Sequence, residues 1–324
     1  MKVSSFLAAS LLAVTETIAH SESLSRHEVA RRSAMSKRCE ANASSFNRKR
    51  HEKAMAKRAW GAGNTTVEIT TESSYYDTLQ NDTCVLTPDV TPGPYVWPRS
   101  QTLRQDATED QPGVPLWMDI GVLDMATCEP LEGVLVSFWH CNATGSYSSF
   151  TALSPNTGFP TLLEELNITD TYELGVTDLH TDDTTWLRAM WPTDANGMVE
   201  MKTIFPGFYI ERAIHIHVQV YTDWTLHDNG TVTSGNLIST GQVYFDEALE
   251  QQMMALEPYA SHTEINRTTN AEDSVYSQDT EGGYNPVFSV VAADGENVEN
   301  GMIGYITVGV DTTNLLTNTD NTAP

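Results

Sequence analysis

Hydrophobic residues alternate with polar ones in several short runs of this chain. Leu116, Met118, Ile120 and Val122 alternate with Trp117, Asp119 and Gly121, the period of a strand with one buried face. A turn-like Thr127-Cys128-Glu129-Pro130 follows, then a second run with Val134, Val136 and Phe138 on one face, so the simplest pairing is a hairpin. Ile214, Ile216, Val218 and Val220 alternate with His215, His217 and Gln219 in a further strand, and Tyr305 to Val310 reads as the last one. Asp194-Ala195-Asn196-Gly197 is a turn between two apolar runs. One short helix is expected after Asp246, with Leu249, Met253 and Leu256 on its inner face and Pro258 beyond its end. Residues 148–185 break the strand pattern with an acidic, turn-rich insertion that includes Glu164, Glu165, Asp170, Glu173, Asp178, Asp182 and Asp183. A loop of that length is either functional or loosely ordered. Many short strands with little helix, and no internal repeat, predict an all-β chain: a single-domain β-sandwich with short helices and long loops.

The ends of the chain follow a different pattern. Lys2 and the largely apolar stretch from Val3 to Val14, with small residues at Thr17 and Ala19, read as a signal peptide over residues 1–19. Residues 20–58 form a basic polar leader with dibasic pairs at Arg31-Arg32, Lys37-Arg38, Lys49-Arg50 and Lys57-Arg58, either a processed propeptide or an attached tail. A polar extension covers 59–83, the β-sandwich domain is expected over 84–312, and 313–324 is a disordered tail. Seven Asn-x-Ser/Thr sequons (Asn42, Asn64, Asn81, Asn142, Asn167, Asn229, Asn266) fit a secreted, extracellular protein carrying N-linked glycans.

Charge sharpens this division. The 324 residues carry a formal net charge of −25, yet residues 1–58 hold twelve of the 18 basic side chains and five acids. The remainder has six basic and 38 acidic residues, a formal charge of −32. Such a body excludes nucleic-acid binding by phosphate neutralisation and attraction to anionic membranes. No stretch reaches the roughly 18 apolar residues that a membrane span needs. The cysteines are Cys39, Cys84, Cys128 and Cys141. With Cys128 at a turn and Cys141 beyond a strand, the two lie roughly 25 Å apart at about 3.3 Å per residue, too far to bond. Cys84 is then the partner of one of them, Cys128 being favoured, and removal of the leader with Cys39 leaves one free thiol.

Candidate chemistry concentrates around His215-Ile216-His217. Residues two apart share a strand face, so both imidazoles project together while Ile216 enters the core. That suits cis ligation of one metal, and it also suits two solvent-facing histidines on a polar face. Arg212, one of the six basic residues of the body, lies three positions upstream, and Tyr209 and Tyr147 follow Gly-containing turns. Phenolates with imidazoles suit a hard ferric ion better than zinc, which favours thiolate, imidazole or carboxylate.

These residues resemble a family. Phe138-Trp139-His140-Cys141-Asn142-Ala143-Thr144-Gly145-Ser146-Tyr147-Ser148 is similar to the D-I-W-H-A-N…G-x-Y-S stretch of the intradiol ring-cleavage dioxygenases. Thr203-Ile204-Phe205-Pro206-Gly207-Phe208-Tyr209, then Arg212-Ala213-Ile214-His215-Ile216-His217, resembles that family's second-tyrosine and R-x-x-H-I-H signature, and Gly93-Pro94-Tyr95 matches a third motif. The resemblance runs from about Cys84 to Asp246 and is closest to secreted, single-domain fungal-type members. It implies a non-haem Fe(III) held by Tyr147, Tyr209, His215 and His217, with Tyr209 the axial tyrosinate that departs and takes a proton when a catechol binds. It implies that Arg212 stabilises negative charge on the substrate ring and that Gln242 lines the same pocket. The implied reaction cleaves a catechol between its hydroxylated carbons with O₂, giving a cis,cis-muconate-type diacid. Departures are the acidic insertion between the tyrosines, the absence of a helical dimerisation segment, and the 25 residues from His217 to Gln242, more than the family usually has.

Two other readings use the same residues. One is a non-catalytic β-sandwich glycoprotein; the other is a zinc or copper site built on His215 and His217 with His140 nearby. For the dioxygenase, the acidic body and its few cations favour neutral catechols over carboxylated ones such as protocatechuate.

Overall fold

The computed structural model describes residues 89–100, 102–174, 177–228, 232–281 and 284–313, together with Ala30, Ala34, Arg38 and Cys39 of the leader. The expected signal peptide, most of the leader, the 59–83 extension, Cys84, the tail after Thr313 and the sequons at Asn42, Asn64, Asn81 and Asn229 lie outside the described residues. In chain order the elements are β1 (Pro115–Asp124), β2 (Glu129–Pro130), β3 (Leu135–Trp139), α1 (Phe159–Glu165), β4 (Arg188–Pro192), β5 (Met198–Ile204), β6 (His215–Thr222), β7 (Thr225–Leu226), β8 (Val232–Thr233), β9 (Asn236–Tyr244), α2 (Glu247–Met254), α3 (Ser274–Asp279), β10 (Ser289–Ala292) and β11 (Met302–Val310). Among the described residues no helix is long and apolar enough to cross a membrane.

Two sheets pack face to face. The first runs β10-β11-β1-β2, with β5 also paired to β1; the second runs β4-β3-β6-β9. Leu116, Met118, Ile120 and Val122 of β1, Val136 and Phe138 of β3, and Ile216, Val218 and Val220 of β6 meet in one core cluster. The arrangement is a β-sandwich, and the alternation in β6 holds, with its isoleucine and valines inward and His215 and His217 on the opposite face.

The expected hairpin does not form: β1 and β3 belong to different sheets. β1 is the central strand of its sheet, paired in parallel with β11 along Leu116–Asp124 and antiparallel with β5 along Pro115–Gly121. With both edges taken and Met118 to Asp124 all buried, no edge is left for β3. Only β2 folds back, pairing at Leu123–Pro130 and Asp124–Glu129, before the chain crosses to the second sheet past Gly133, whose φ is +73°.

The disulfide differs from the favoured pairing as well. Cys128 bonds Cys39, not Cys84, and Cys141 is a free, buried thiol. Cys128 sits in the tight turn after β1, and the turn's carbonyls at Met125 and Ala126 accept hydrogen bonds from the Arg38 guanidinium, so Arg38 and Cys39 of the leader dock there. This contact joins positions 89 residues apart and leaves no local sequence signal.

The expected helix is α2, where the Asp246 side chain accepts a hydrogen bond from Ala248 N at 2.9 Å, and Met253 is buried. The acidic insertion is acidic only on its outside. Its Phe150, Leu153, Leu162, Leu163 and Leu179 form an apolar underside, packed with Tyr95, Trp139, Cys141, Tyr147 and Tyr209 against the outer face of the second sheet.

Candidate active site

A transverse row of the second sheet organises the site. Arg188 pairs with Trp139, Trp139 with His217, and His217 with Gln242, across β4-β3-β6-β9. Residues in register on adjacent strands share a face, so these four side chains stand on the outer face together. Gln242 is thus His217's immediate neighbour despite the long sequence separation. The additional residues between them carry the β7-β8 hairpin.

His215 and His217 face one another, with their Nε2 atoms 3.2 Å apart. The Tyr147 hydroxyl lies 3.2 Å from His217 Nε2, and the Tyr209 hydroxyl lies 3.4 Å from His215 Nε2. The loops bearing the two tyrosines abut through glycines. A Cβ on Gly145, where φ is +89°, would lie 2.3 Å from the Phe208 carbonyl oxygen, and one on Gly207 would lie 2.4 Å from that of Ala143. Asn142 closes the first loop, its Oδ1 accepting from Thr144 N and Ser146 N. The Trp139 indole stacks on the His217 ring at 4.7 Å and 3°, and the Tyr95 ring stacks on Tyr147 at 4.6 Å and 17°.

Burial sets the protonation states. Both histidines are held well below the usual imidazole range, first by burial and then by neighbouring cationic or titrating groups including Arg212. They are neutral, the form that ligates metals. His215 Nδ1 donates to the Ala213 carbonyl at 2.7 Å, which leaves Nε2 with its lone pair directed at the cluster. Burial raises both phenols, Tyr147 well above the usual value and Tyr209 to about 12, with Arg212 opposing the rise in each case. Donor atoms about 2.0–2.2 Å from one first-row metal ion, at angles near 90–110°, are about 2.9–3.5 Å apart. The spacings of 3.2, 3.2 and 3.4 Å between the four donors fall in that range. Two imidazoles with two phenols fit a ferric ion.

Arg212 borders this cluster. Its Nη1 lies 3.3 Å from the Tyr209 hydroxyl, Nη2 donates to Gln242 Oε1, and Nε donates to Asp273 Oδ2 at 3.0 Å. Asp273 is fully buried and also accepts from Ala213 N at 2.8 Å. Gln242 Nε2 donates to the Thr91 carbonyl at 3.1 Å. All six sequence-chosen residues (Tyr147, Tyr209, Arg212, His215, His217, Gln242) therefore come together. His140 does not join them. Its Nδ1 bonds the Cys141 carbonyl and its Nε2 the Thr203 hydroxyl, both at 2.7 Å. Among the described residues no three His, Cys, Asp or Glu side chains gather as a metal site.

Comparison with known proteins bears on the fold. Residues 88–228 match the Dioxygenase_C family model, described as a dioxygenase. The intradiol ring-cleavage dioxygenase of Tetranychus urticae superposes with a TM-score of 0.55 at 24% identity, covering 72% of this chain and 98% of that one. The chain has the intradiol-dioxygenase fold. A second dioxygenase crystal structure superposes with a TM-score of 0.56 at 24% identity, again over 72% and 98%. The dioxygenase domain of a dioxygenase–carbohydrate-binding fusion from Streptomyces sp. SirexAA-E is also similar, with 24% identity, 69% and 97% coverage and a TM-score of 0.39. No curated protein matches the sequence. The resemblance to the intradiol family thus extends to the fold.

Sequence reasoning missed Asp273, which lies on the helix cap of α3 with no motif around it, and the apolar underside of the insertion. It also passed over Arg188, although one of six cations in so acidic a body was itself a signal.

Proposed function

We propose that the chain is a secreted, N-glycosylated, non-haem Fe(III) intradiol dioxygenase that converts neutral catechols to cis,cis-muconate-type diacids with O₂. The convergence of two phenols and two neutral imidazoles at ligand spacing, with Arg212 on the outermost phenol, carries the reading. Tyr147, Tyr209, His215 and His217 would hold the iron. Ferric iron, when bound, supplies the Lewis acidity that activates a chelated catecholate toward O₂.

The chain's own groups do the rest. Tyr209 Oη accepts a catechol proton, and the Arg212 guanidinium at 3.3 Å stabilises that oxygen while it is anionic. Gln242 and Asp273 hold Arg212 in place, so its charge is oriented before substrate arrives. Tyr95 and the apolar underside of the insertion cover the Tyr147 side and exclude water. The acidic outer surface and the scarcity of basic residues support the preference for uncharged catechols.

The test is oxygen uptake with product absorbance on iron-loaded protein. One O₂ consumed per catechol, with a diene diacid formed, is expected, and kcat/KM for catechol should exceed that for protocatechuate at low ionic strength. No O₂ uptake by iron-loaded protein with any simple catechol overturns the activity. The reverse substrate order overturns the substrate assignment alone.

A further inference from the structure

Arg188 stands at the far end of the row that contains His217, two strands away and therefore about 10 Å off at about 4.8 Å per strand. It is 1% exposed, the most deeply buried cation of the described residues. Burying a guanidinium is costly unless an anion and hydrogen-bond acceptors compensate it. The other partly buried arginines obey this rule: Arg212 pairs with Asp273, and Arg267 with Glu247 and Glu250. Among the described residues no carboxylate lies within ion-pair distance of Arg188. Its acceptors are neutral: Ser148 Oγ at 2.8 Å, the Ser148 carbonyl at 2.7 Å and the Tyr95 carbonyl at 2.9 Å. Among the described residues Nη1 has no hydrogen-bond acceptor.

Those three bonds share a destination. Ser148 follows Tyr147 directly, and the Tyr95 ring is the one stacked on Tyr147. Arg188 therefore grips the loop of the inner phenol from behind and the ring packed against it. We infer that Arg188 is a positioning residue for Tyr147, a buried cation that fixes this ligand's loop and supplies the countercharge to its phenolate when iron is held. The inference rests on the four-donor reading above. The anion that Arg188 serves forms with the metal bound, and the Asp182 carboxylate, beyond ion-pair distance, adds a longer-range attraction. Burial lowers the Arg188 guanidinium to about 9, and the Tyr147 phenol and the Asp182 carboxylate both oppose the fall.

The test compares wild type, Arg188→Lys and Arg188→Met. Each is titrated with ferric ion against a chelator of known affinity, and the phenolate-to-iron absorption band is recorded. Removing a cation beside the phenolate raises the donor orbital, so Arg188→Met should red-shift the band and weaken iron retention at least tenfold. Arg188→Lys keeps charge but loses the fork, so it should recover most of the band energy and only part of the affinity. In a Tyr147→Phe background the Arg188→Met substitution should no longer move the band, which a purely architectural role would not produce. Wild-type band energy and affinity in both Arg188 variants overturn the inference while leaving the four-donor site intact. If Arg188→Met does not fold, Arg188→Lys decides: no loss of iron affinity relative to wild type again overturns it. A folded wild type without a phenolate-to-iron band overturns both the site and the inference.

Discussion

The two arginines flanking the site are held in opposite ways. Arg212 lies at the open edge, compensated by Asp273, and touches the Tyr209 hydroxyl itself. Arg188 lies beneath the sheet's outer layer with neutral acceptors, and touches the loop and stacking partner of Tyr147 instead. On the proposed four-donor reading, the difference separates the two phenols by their freedom to move. A tyrosine whose oxygen meets a pre-paired, oriented cation can leave a metal and still be stabilised as an anion. A tyrosine stacked on Tyr95, with its loop gripped from behind, is placed to remain.

This contrast can be broken at several points. The largest effect is expected from Tyr209→Phe, which removes the proton acceptor: turnover should fall about a thousandfold, with a shift of colour, while iron is retained. Equal loss of turnover and of iron on Tyr209→Phe and Tyr147→Phe would erase the distinction between the phenols. His215→Ala should lose iron outright, measured as metal content per chain, because Tyr209 alone cannot replace the imidazole. Arg212→Met should lower kcat about a hundredfold with iron content unchanged, the scale of removing one preorganised charge from a developing anion.

Asp273→Asn is milder on chemistry. It loosens Arg212 and should lower kcat about tenfold. Because Asp273 also caps α3 through Val275 N and Tyr276 N, about 1 kcal/mol of stability should go with it, read from a denaturant midpoint. The smallest effect concerns pH. Burial lowers His140 to about 4, and His215 and His217 also titrate below their unfolded value. At these rings the unfolded chain binds more protons below about pH 6.5, so their contribution to iron-free stability is full above that pH and falls as pH drops toward 4. From pH 6.5 to 5.5 the loss from His140 alone is on the order of 1 kcal/mol. Burial raises the Glu250 carboxyl to about 9, which opposes this loss, so the check is NMR titration of the rings themselves: imidazole signals that titrate near pH 6.5 contradict neutral burial.

Part of the site was legible because His215 and His217 lie on a regular strand. Alternation in β6 puts His215 and His217 on one face whatever the strand pairs with, and glycines beside Tyr147 and Tyr209 announce the close loops. The hairpin expectation failed because alternation reports which face is buried and not which edge is occupied. β1 is enclosed by β11, whose sequence lies almost 200 positions away. The Cys39–Cys128 bond, the Asp273 anchor and the grip of Arg188 on Tyr95 are equally long-range, set by topology that local spacing does not encode. The insertion was read by its charges, which cover its outside, while Phe150, Leu162 and Leu163 form the surface that meets the site.

The most direct test of the central claim is a visible absorption spectrum of the purified protein during addition of ferric ion. The four-donor site requires a broad phenolate-to-iron band, saturating at one iron per chain, with a red-brown colour that changes in Tyr209→Phe and disappears in His215→Ala. A folded protein that stays colourless through one equivalent of ferric ion contradicts it.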